Sequence, residues 1–349
     1  MSWIIYGANG YTGKLMAEEA VRRGLQPILA GRDAAAVTAL ANELGLNSKV
    51  FPLDDIAGIR DAIHATRLVL HCAGPFAVTA EPMIEACLAE GVHYLDITGE
   101  ISVFEHAHSR DQEARRADVV LLPGVGFDIV PTDCLASSLV EALPAATQLR
   151  LAFEMTGGPS RGTAKTGIEG LGSGGWVRRD GKLKQVPMAW KTRKIPFAHG
   201  ERLGVTIPWG DVYTAFISTG IPDIEVYISL PPPLIAWLRR LRWLQPLLGL
   251  APLQALLKSR VDSKPVGPSE QVRKDSYGEL WGEVRSADGR TLSATMTTPN
   301  GYDVTVSAAL GIVEYLLENA VEGGYYTPSL LMGSGYAATL PGVNFTGVS

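Results

Sequence analysis

The chain has 349 residues, of which 46% are hydrophobic and 19% are charged. This length suits two domains, and this composition excludes a disordered chain. The net charge of −5 argues against a general nucleic-acid surface. Cys72, Cys87 and Cys134 have no metal-ligand spacing, and an odd count fits a reducing compartment. Because no signal precedes the first predicted strand, we expect a cytoplasmic location.

The N-terminal residues predict a strand (3–6), a helix (about 14–23) and a second strand (27–30). The turn between the first strand and the helix is glycine-rich, with the residues Gly7, Ala8, Asn9, Gly10, Tyr11, Thr12 and Gly13. Glycines let a backbone approach a pyrophosphate, and a helix N-terminus directs N–H groups and a positive dipole end at an anion. We therefore predict a dinucleotide at this turn, with an ordinary strand-to-helix turn as the alternative.

The glycine spacing fits two frames of this motif. In the frame G-x-G-x-x-G, Ala8 takes the first glycine position, and Gly10 and Gly13 take the other two. In the frame G-x-x-G-x-x-G, glycines stand at all three positions, 7, 10 and 13. The motif opens a helix directly after an apolar strand, as dinucleotide binding requires, so both frames predict the same ligand.

The end of the second predicted strand bears on the choice of cofactor. NAD sites usually place a carboxylate there, whereas this chain has Arg32 followed by Asp33. A guanidinium pairs with a 2′-phosphate through two parallel hydrogen bonds, and a carboxylate would repel it. We predict that NADP(H) is favoured over NAD(H). In the alternative, Arg32 is a solvated surface residue and Asp33 contacts the ribose.

Alternation of strand and helix continues to about residue 122. The sequence predicts strands at 50–53, 67–72, 93–96 and 119–122, with helices at 81–90 and 103–116. Such repeats indicate a doubly wound parallel sheet, in which ligands lie beyond the carboxyl ends of the strands. Further cofactor-binding candidates follow these strands: Asp54, Ala73, Gly74, Pro75 and Phe76.

The remaining sequence predicts a second, α+β domain. We expect a helix at about 134–143, strands at 149–155, 213–219 and 224–229, and a hairpin of strands 280–284 and 291–296 around Asp288-Gly289. An apolar helix at 304–320 is expected to pack on the first domain. The predicted fold class is therefore α/β, with a Rossmann domain (1–130), a substrate or dimerisation domain (131–300) and a returning C-terminal helix and tail (301–349).

In these motifs the chain resembles the saccharopine dehydrogenase-like oxidoreductases, which include trans-acting enoyl reductases. The matching segments cover about the first 140 residues: 7–13, 30–33, 73–76, 94–100 and 126–133. The resemblance implies a Rossmann domain, a nicotinamide cofactor, a second α+β domain and often a dimer. It does not fix the reaction, because the activities of this group diverge.

Catalytic residues do not follow from a motif. The sequence contains no nucleophile–histidine triad pattern and no metal-spaced histidine cluster. Hydride transfer needs a positioned nicotinamide and one proton donor or acceptor. The candidates are Tyr94, Glu100, Asp128 and Lys165, the last within the glycine-rich segment 156–166. Asp128 also suits a turn-stabilising role, and the segment 156–166 also suits a loop that leads into a helix.

The segment 226–257 is rich in leucine and tryptophan but is interrupted by prolines and by Arg239, Arg240 and Arg242. A bilayer span needs about twenty uninterrupted apolar residues, so the sequence predicts no span here. The pattern suits domain or dimer packing, a cover over an apolar substrate, or peripheral membrane contact.

The favoured hypothesis is an NADP(H)-dependent oxidoreductase that transfers a hydride to an apolar unsaturated small molecule, acting as a homodimer. One alternative is an amino-acid type dehydrogenase that makes or breaks a C–N bond. That enzyme needs clustered cations for its carboxylates, and the candidates are Arg161, Lys165, Arg178 and Arg179. The other alternative is a non-catalytic NADP(H)-binding protein at a membrane or partner surface.

Overall fold

The computed structural model describes residues 2–172, 174–263 and 265–348, without the side chains of Pro246 and Asp262. The strands are β1 (Ile4–Tyr6), β2 (Ile28–Gly31), β3 (Ser48–Val50), β4 (Leu68–His71), β5 (His93–Asp96), β6 (Val120–Leu122), β7 (Ala146–Met155), β8 (Gly175–Arg179), β9 (Lys182–Val186), β10 (Thr192–Phe197), β11 (Gly200–Thr206), β12 (Asp223–Ser229), β13 (Tyr277–Ser286), β14 (Thr291–Pro299), β15 (Gly324–Tyr325) and β16 (Asn344–Thr346).

The helices are α1 (Tyr11–Arg22), α2 (Ala34–Leu44), α3 (Ile56–Ile63), α4 (Phe76–Glu90), α5 (Ile101–Ser109), α6 (Asp111–Ala117), α7 (Val130–Ala142), α8 (Arg161–Gly170), α9 (Asp211–Thr219), α10 (Pro232–Leu241), α11 (Gln245–Leu248), α12 (Ala251–Asp262), α13 (Glu270–Lys274), α14 (Gly301–Glu318), α15 (Pro328–Met332) and α16 (Tyr336–Thr339). A short 3-10 helix covers Arg242–Leu244.

The residues form two compact units, each with its own sheet. The first unit contains Met1–Asp128 and Thr305–Leu331, and the second contains Ile129–Val304 and Met332–Ser349. From the sequence, all of 301–349 was expected to return to the first domain, but residues 301–304 and 332–349 group with the second unit. The reason is strand pairing, because β16 pairs antiparallel with β14 through Phe345 and Met296.

The first unit is built on a seven-stranded parallel sheet with the order β3-β2-β1-β4-β5-β6-β15. Apart from the added β15, this is the strand order of a dinucleotide-binding Rossmann domain. Ile4 and Ile5 of the central strand β1 have no exposed surface, because helices cover both faces of such a sheet. The predicted doubly wound fold is confirmed.

The second unit is built on a mixed sheet with the order β10-β11-β12-β7-β13-β14-β16, to which β8 and β9 are added beside β12. An apolar cluster on this sheet contains Ala152, Ile195, Phe197, Tyr227 and Trp281. The predicted late hairpin is confirmed as β13 and β14. Gly289 in its turn has a φ of +90°, a conformation that glycine adopts without steric cost.

The predicted strand 213–219 is wrong, since these residues form α9. The alternation of Tyr213, Ala215 and Ile217 suggested a strand, but a short apolar run fits both periodicities. The buried residues of α9 follow helical spacing and are Asp211, Val212, Thr214 and Ala215. Gly220 ends the helix in the left-handed conformation, with a φ of +70°, as glycine commonly does at this position.

Two predicted helices have different bounds in the structure. The helix expected over 103–116 is divided into α5 and α6, with Arg110 between them. The helix expected over 81–90 begins at Phe76, because the Glu100 carboxylate accepts hydrogen bonds from the backbone N–H groups of Phe76 and Ala77. Pro82 therefore lies inside α4, not at its start.

Candidate functional site

The strand order of the first sheet reverses between β1 and β4, and ligands of such sheets lie beyond the carboxyl ends of these strands. Gly7 follows β1 directly, and Ala73 lies two residues after β4. The two loops are in close contact, because a Cβ added to Gly7 would lie 2.8 Å from the Ala73 Cβ. The structure therefore brings the glycine turn and the predicted segment 73–76 to one edge.

The conformation of the turn decides between the two glycine frames. Gly7 has a φ of +80°, and a Cβ added to Gly13 would lie 2.2 Å from the Gly7 carbonyl oxygen. A Cβ on Gly10 would lie 3.2 Å from the same oxygen. Ala8 is fully buried and meets no such conflict. Backbone geometry therefore requires glycine at 7 and 13 and leaves little room for a side chain at 10, which favours the G-x-x-G-x-x-G frame.

The N-terminus of α1 opens from this turn. Gly10 is its N-cap residue, and no described side chain caps the helix, whose first residues are Tyr11 and Thr12. Asn9, before the cap, is exposed. A glycine cradle beside an uncapped helix N-terminus offers N–H donors and a positive dipole end, and these suit a pyrophosphate. The residues present therefore fit a dinucleotide.

Arg32 and Asp54 lie at the same edge, since both charges act on the buried Tyr6 hydroxyl at the end of β1. Burial raises the pKa of Tyr6 to about 12, Arg32 opposes this rise and Asp54 adds to it. Arg32 is exposed, and no residue in the described ranges forms a hydrogen bond or ion pair with it. Its guanidinium thus keeps its donors for a ligand.

Asp33 has a local structural role. Its carboxylate accepts a hydrogen bond of 3.0 Å from the Ala36 backbone N–H and caps α2. An aspartate at an N-cap satisfies one of the helix donors that otherwise lack a partner. This observation weakens the alternative in which Asp33 binds the ribose and Arg32 is only a solvated residue.

The loop 73–76 is held by side chains that the sequence did not single out. The Thr79 hydroxyl lies 2.7 Å from the Ala73 carbonyl oxygen and 3.1 Å from that of Pro75. The imidazole Nε2 of His71, at the end of β4, lies 3.0 Å from the same hydroxyl. His71 is fully buried, and burial lowers its pKa to about 3, so it is neutral at physiological pH. The Gly74–Pro75 peptide is cis.

Glu100, a catalytic candidate from the sequence, holds the other side of this loop. Its two carboxylate oxygens accept hydrogen bonds of 3.0 Å from the Phe76 N–H and 2.7 Å from the Ala77 N–H. A carboxylate at a helix N-terminus is stabilised by the unpaired N–H groups and by the helix dipole. Glu100 therefore acts as a positioning residue for Pro75 and Phe76.

Tyr94, a second candidate, is fully buried on β5. Its hydroxyl donates a hydrogen bond of 2.7 Å to the Asp96 carboxylate, which also accepts bonds of 2.9 Å from the N–H groups of Thr98 and Gly124. Burial raises the pKa of Tyr94 well above its usual value and that of Asp96 to about 7. Tyr94 thus remains protonated, and Asp96 links the loops after β5 and β6.

The remaining candidates are Asp128 and Lys165. Asp128 is half-buried after β6, and burial raises its pKa to about 7, so its carboxyl is partly protonated at neutral pH. Lys165 lies on α8 in the second unit, and Ser160 caps this helix by accepting a hydrogen bond from the Thr163 N–H. The raised pKa of Asp128 suits proton transfer near neutral pH.

His71, Thr79 and Asp96 also belong to this site, although no sequence motif pointed to them. Asp96 carried a usable signal, because it stands two residues after Tyr94 on a strand and so shares its face. The link from His71 through Thr79 to the 73–76 loop had no comparable signal, since it depends on the exact path of the loop.

The cysteines and acidic groups show no metal site. Within the described ranges, no three His, Cys, Asp or Glu side chains are grouped so that they could hold a metal ion. Burial raises the pKa of Cys72, Cys87 and Cys134, which keeps all three as thiols at neutral pH.

Comparison with known proteins agrees with the geometry of the first unit. Residues 3–122 match the family described as the saccharopine dehydrogenase NADP binding domain. The saccharopine dehydrogenase-like oxidoreductase of Mus musculus is 27% identical over 209 residues, which are 52% of this chain and 48% of that protein. A protein of Mycobacterium tuberculosis named a putative trans-acting enoyl reductase is 32% identical over 153 residues, 40% of this chain and 35% of that protein.

The chain spans about half or less of the length of these relatives. Two solved structures share the fold, each with a TM-score of 0.68. Saccharopine dehydrogenase (L-Glu forming) from Saccharomyces cerevisiae is 10% identical, with 99% of each chain covered. Homospermidine synthase from Legionella pneumophila, solved with NAD, is 12% identical, with 99% of this chain and 91% of that chain covered. Residues 3–122 are thus similar to the saccharopine dehydrogenase NADP binding domain, and the chain is similar over part of its length to saccharopine dehydrogenase-like oxidoreductases.

Proposed function

We propose that this protein is an NADP(H)-dependent oxidoreductase that reduces a carbon–carbon double bond of an apolar, unsaturated substrate. The observation that carries the cofactor half of this proposal is the pairing of an uncapped glycine turn with the exposed Arg32 at one sheet edge. An arginine beside the ribose end of a Rossmann site accommodates a 2′-phosphate.

In this proposal the Gly7–Gly13 turn holds the pyrophosphate and Arg32 holds the 2′-phosphate. The 73–76 loop, anchored by Thr79 and Glu100, borders the same edge. The reduced nicotinamide, when bound, supplies a hydride. We assign the accompanying proton to Asp128, because its raised pKa of about 7 lets it hold that proton near neutral pH.

The apolar character of the substrate is supported by the second unit. Several large apolar side chains of the segment 234–256 are exposed, among them Trp237, Trp243 and Leu247. Exposed apolar area of this kind marks interaction or ligand surfaces. The similarity to a trans-acting enoyl reductase points in the same direction.

The C–N dehydrogenase alternative is weakened by the contacts of its proposed cations. Arg178 donates hydrogen bonds of 2.8 Å to the Val212 carbonyl and 2.7 Å to the Gly181 carbonyl, and Arg179 pairs with Glu225. These two of the four candidate cations are engaged within the second unit. A substrate with two or three carboxylates would need cations that remain available.

Turnover with a panel of substrates tests the proposal. We expect NADPH to be oxidised in the presence of apolar enoyl compounds and not in the presence of imino acids. The loss of NADPH fluorescence measures this oxidation. The Gly10→Val variant serves as the control that removes nucleotide binding. Turnover of imino acids would instead support C–N chemistry, and tight NADPH binding without any turnover would support the non-catalytic alternative.

The proposal includes a homodimer, as the family resemblance implies, and a cytoplasmic location, as the odd cysteine count suggests. Light scattering across a range of protein concentrations measures the mass in solution, and cell fractionation measures the location. A mass of one chain at every concentration would remove the dimer from the proposal without affecting the cofactor assignment.

A further inference from the structure

The segment 231–261 differs from the rest of the chain in its charge. It contains five basic residues, Arg239, Arg240, Arg242, Lys258 and Arg260, and no acidic residue, whereas the whole chain has a net charge of −5. Lys258 pairs with Glu169 of α8 at 2.6 Å. The three arginines at 239, 240 and 242 have no carboxylate partner among the described residues.

The same segment also concentrates exposed apolar side chains. Of the fifteen large apolar side chains that are exposed in the described ranges, seven lie between residues 234 and 256: Leu234, Trp237, Trp243, Leu244, Leu247, Leu250 and Leu256. Trp243 is 85% exposed and Trp237 is 53% exposed. Single exposed apolar residues are common on proteins, but a cluster of this size marks an interaction surface.

Helix α10 has both packed and exposed apolar side chains. One face of α10 packs on the apolar cluster of Met188, Ala189 and Val205 through Ile235, Leu238 and Leu241. Trp237 and, in the first turn of the helix, Leu234 are nevertheless exposed. The packed face anchors the segment, so the outer apolar residues are not needed for its core.

We propose that the exposed apolar side chains between residues 234 and 256 form a docking surface for an anionic phospholipid bilayer. Arg239, Arg240 and Arg242, in the same segment, belong to this surface. Tryptophan and leucine insert at the boundary between headgroups and acyl chains, and arginines pair with anionic headgroups. Charge complementarity favours this occupant over a second copy of the chain, since the surface would meet its own positive charge. No helix in the described part of the chain is long and apolar enough to cross a bilayer.

The first test is sedimentation of the full-length protein with lipid vesicles. We expect binding to vesicles that contain phosphatidylglycerol, little binding to pure phosphatidylcholine, and weaker binding as salt is added. The variant with Arg239→Glu and Arg240→Glu should bind at least about 25-fold more weakly, at roughly five-fold per arginine. A matched control with Arg116→Glu and Lys182→Glu makes the same change in net charge elsewhere and should bind like the wild type.

The second test addresses the apolar residues. The variant with Trp237→Ser and Trp243→Ser should bind at least about tenfold more weakly and lose the blue shift of tryptophan fluorescence on vesicle addition. A control with Ile56→Ser and Leu330→Ser removes exposed apolar residues from the first unit and should retain binding. NADPH affinity, measured in parallel, shows that each variant is folded.

Three results would overturn the proposal. Wild-type protein that ignores phosphatidylglycerol vesicles is one, and tryptophan variants that bind them normally are another. The third is an Arg239→Glu and Arg240→Glu variant that binds these vesicles like the wild type. A tryptophan variant that binds normally and also changes from dimer to monomer would assign the surface to a second copy of the chain. The cofactor assignment is independent of all three results.

Discussion

The sheet edge of the first unit and the sheet of the second unit treat charged side chains in opposite ways. At the first, Arg32 is exposed without a described partner, and α1 begins without a described side-chain cap. In the second, Glu225 is buried and accepts hydrogen bonds from Lys191 at 2.6 Å and Tyr227 at 2.5 Å, and it also pairs with Arg179.

The second unit extends this pairing across neighbouring strands. Glu283 accepts hydrogen bonds of 2.6 Å from both Arg150 and Arg193. Although burial raises the pKa of Glu225, hydrogen bonds from Lys191 and Tyr227 and the charge of Arg179 hold it below its usual value. A paired arginine is committed to its own fold, whereas an unpaired one beside a glycine turn is available to a ligand. Composition alone cannot separate the two cases.

The largest expected effect comes from breaking the charge cluster of the second unit. Glu225→Gln would leave Arg179 and Lys191 without their carboxylate, which costs about 3 kcal/mol of unfolding free energy. Denaturant unfolding measures this loss. Glu201→Gln, which removes an exposed partner of Lys194, is the matched control and should cost much less. NADPH affinity of the folded Glu225→Gln protein should be unchanged, and a parallel loss of affinity would contradict the division of roles.

The next effect is on the glycine turn of the first unit. Gly10→Val places a branched side chain at the start of α1, against the Gly7 carbonyl and in the path of the pyrophosphate. We expect NADPH and NADH to bind at least about 100-fold more weakly, or ~2.8 kcal/mol, by fluorescence titration. Gly347→Val, at a glycine with no atom near its added Cβ, is the control. Normal affinity in a folded Gly10→Val protein would refute the nucleotide site.

A smaller and more selective effect is expected at Arg32. Arg32→Glu replaces a phosphate partner with a repelling charge, so NADPH binding should weaken by about 2 kcal/mol while NADH binding changes little. Arg32→Lys should lie between the two, because it keeps the charge and loses the bidentate geometry. Arg116→Glu controls for net charge. If the NADPH-to-NADH preference stays constant in Arg32→Glu, the 2′-phosphate is recognised elsewhere.

The last effect is gradual, at most about 1.36 kcal/mol for each pH unit, and concerns the pH dependence of stability at Asp96. The pKa of this carboxyl is about 7 in the folded protein, whereas its ordinary value is 3.8. Between these two pH values the folded state therefore holds one more proton than the unfolded state. Stability from this group is therefore full below about pH 4 and falls as pH rises to 7, by at most 1.36 kcal/mol per pH unit. Asp96→Asn keeps the hydrogen-bonding shape and should flatten this fall in thermal melts. Identical pH profiles for both proteins would contradict the raised pKa.

Local patterns predicted most of the first unit correctly. The strands of the parallel sheet are short apolar runs between glycines and segments whose apolar residues have helical spacing. Few ways of pairing such strands in a sheet are possible. Predictions failed where a pattern was too short or where a partner was distant. Residues 213–219 fit both a strand and a helix, and the start of α4 at Phe76 depends on Glu100.

The sequence by itself determined the Rossmann fold, the glycine turn and the position of the arginine proposed to bind the 2′-phosphate, because each depends on neighbouring residues. Only the tertiary structure decided which polar and charged side chains are engaged in contacts within the protein. Glu100 became a helix cap, Tyr94 became a buried donor to Asp96, and Arg179 became a partner of Glu225. The contacts of Glu100 and Arg179 join residues on different elements, and the Tyr94–Asp96 contact is buried only when β5 packs inside the sheet. Their energies therefore depend on how the chain packs and not on local composition.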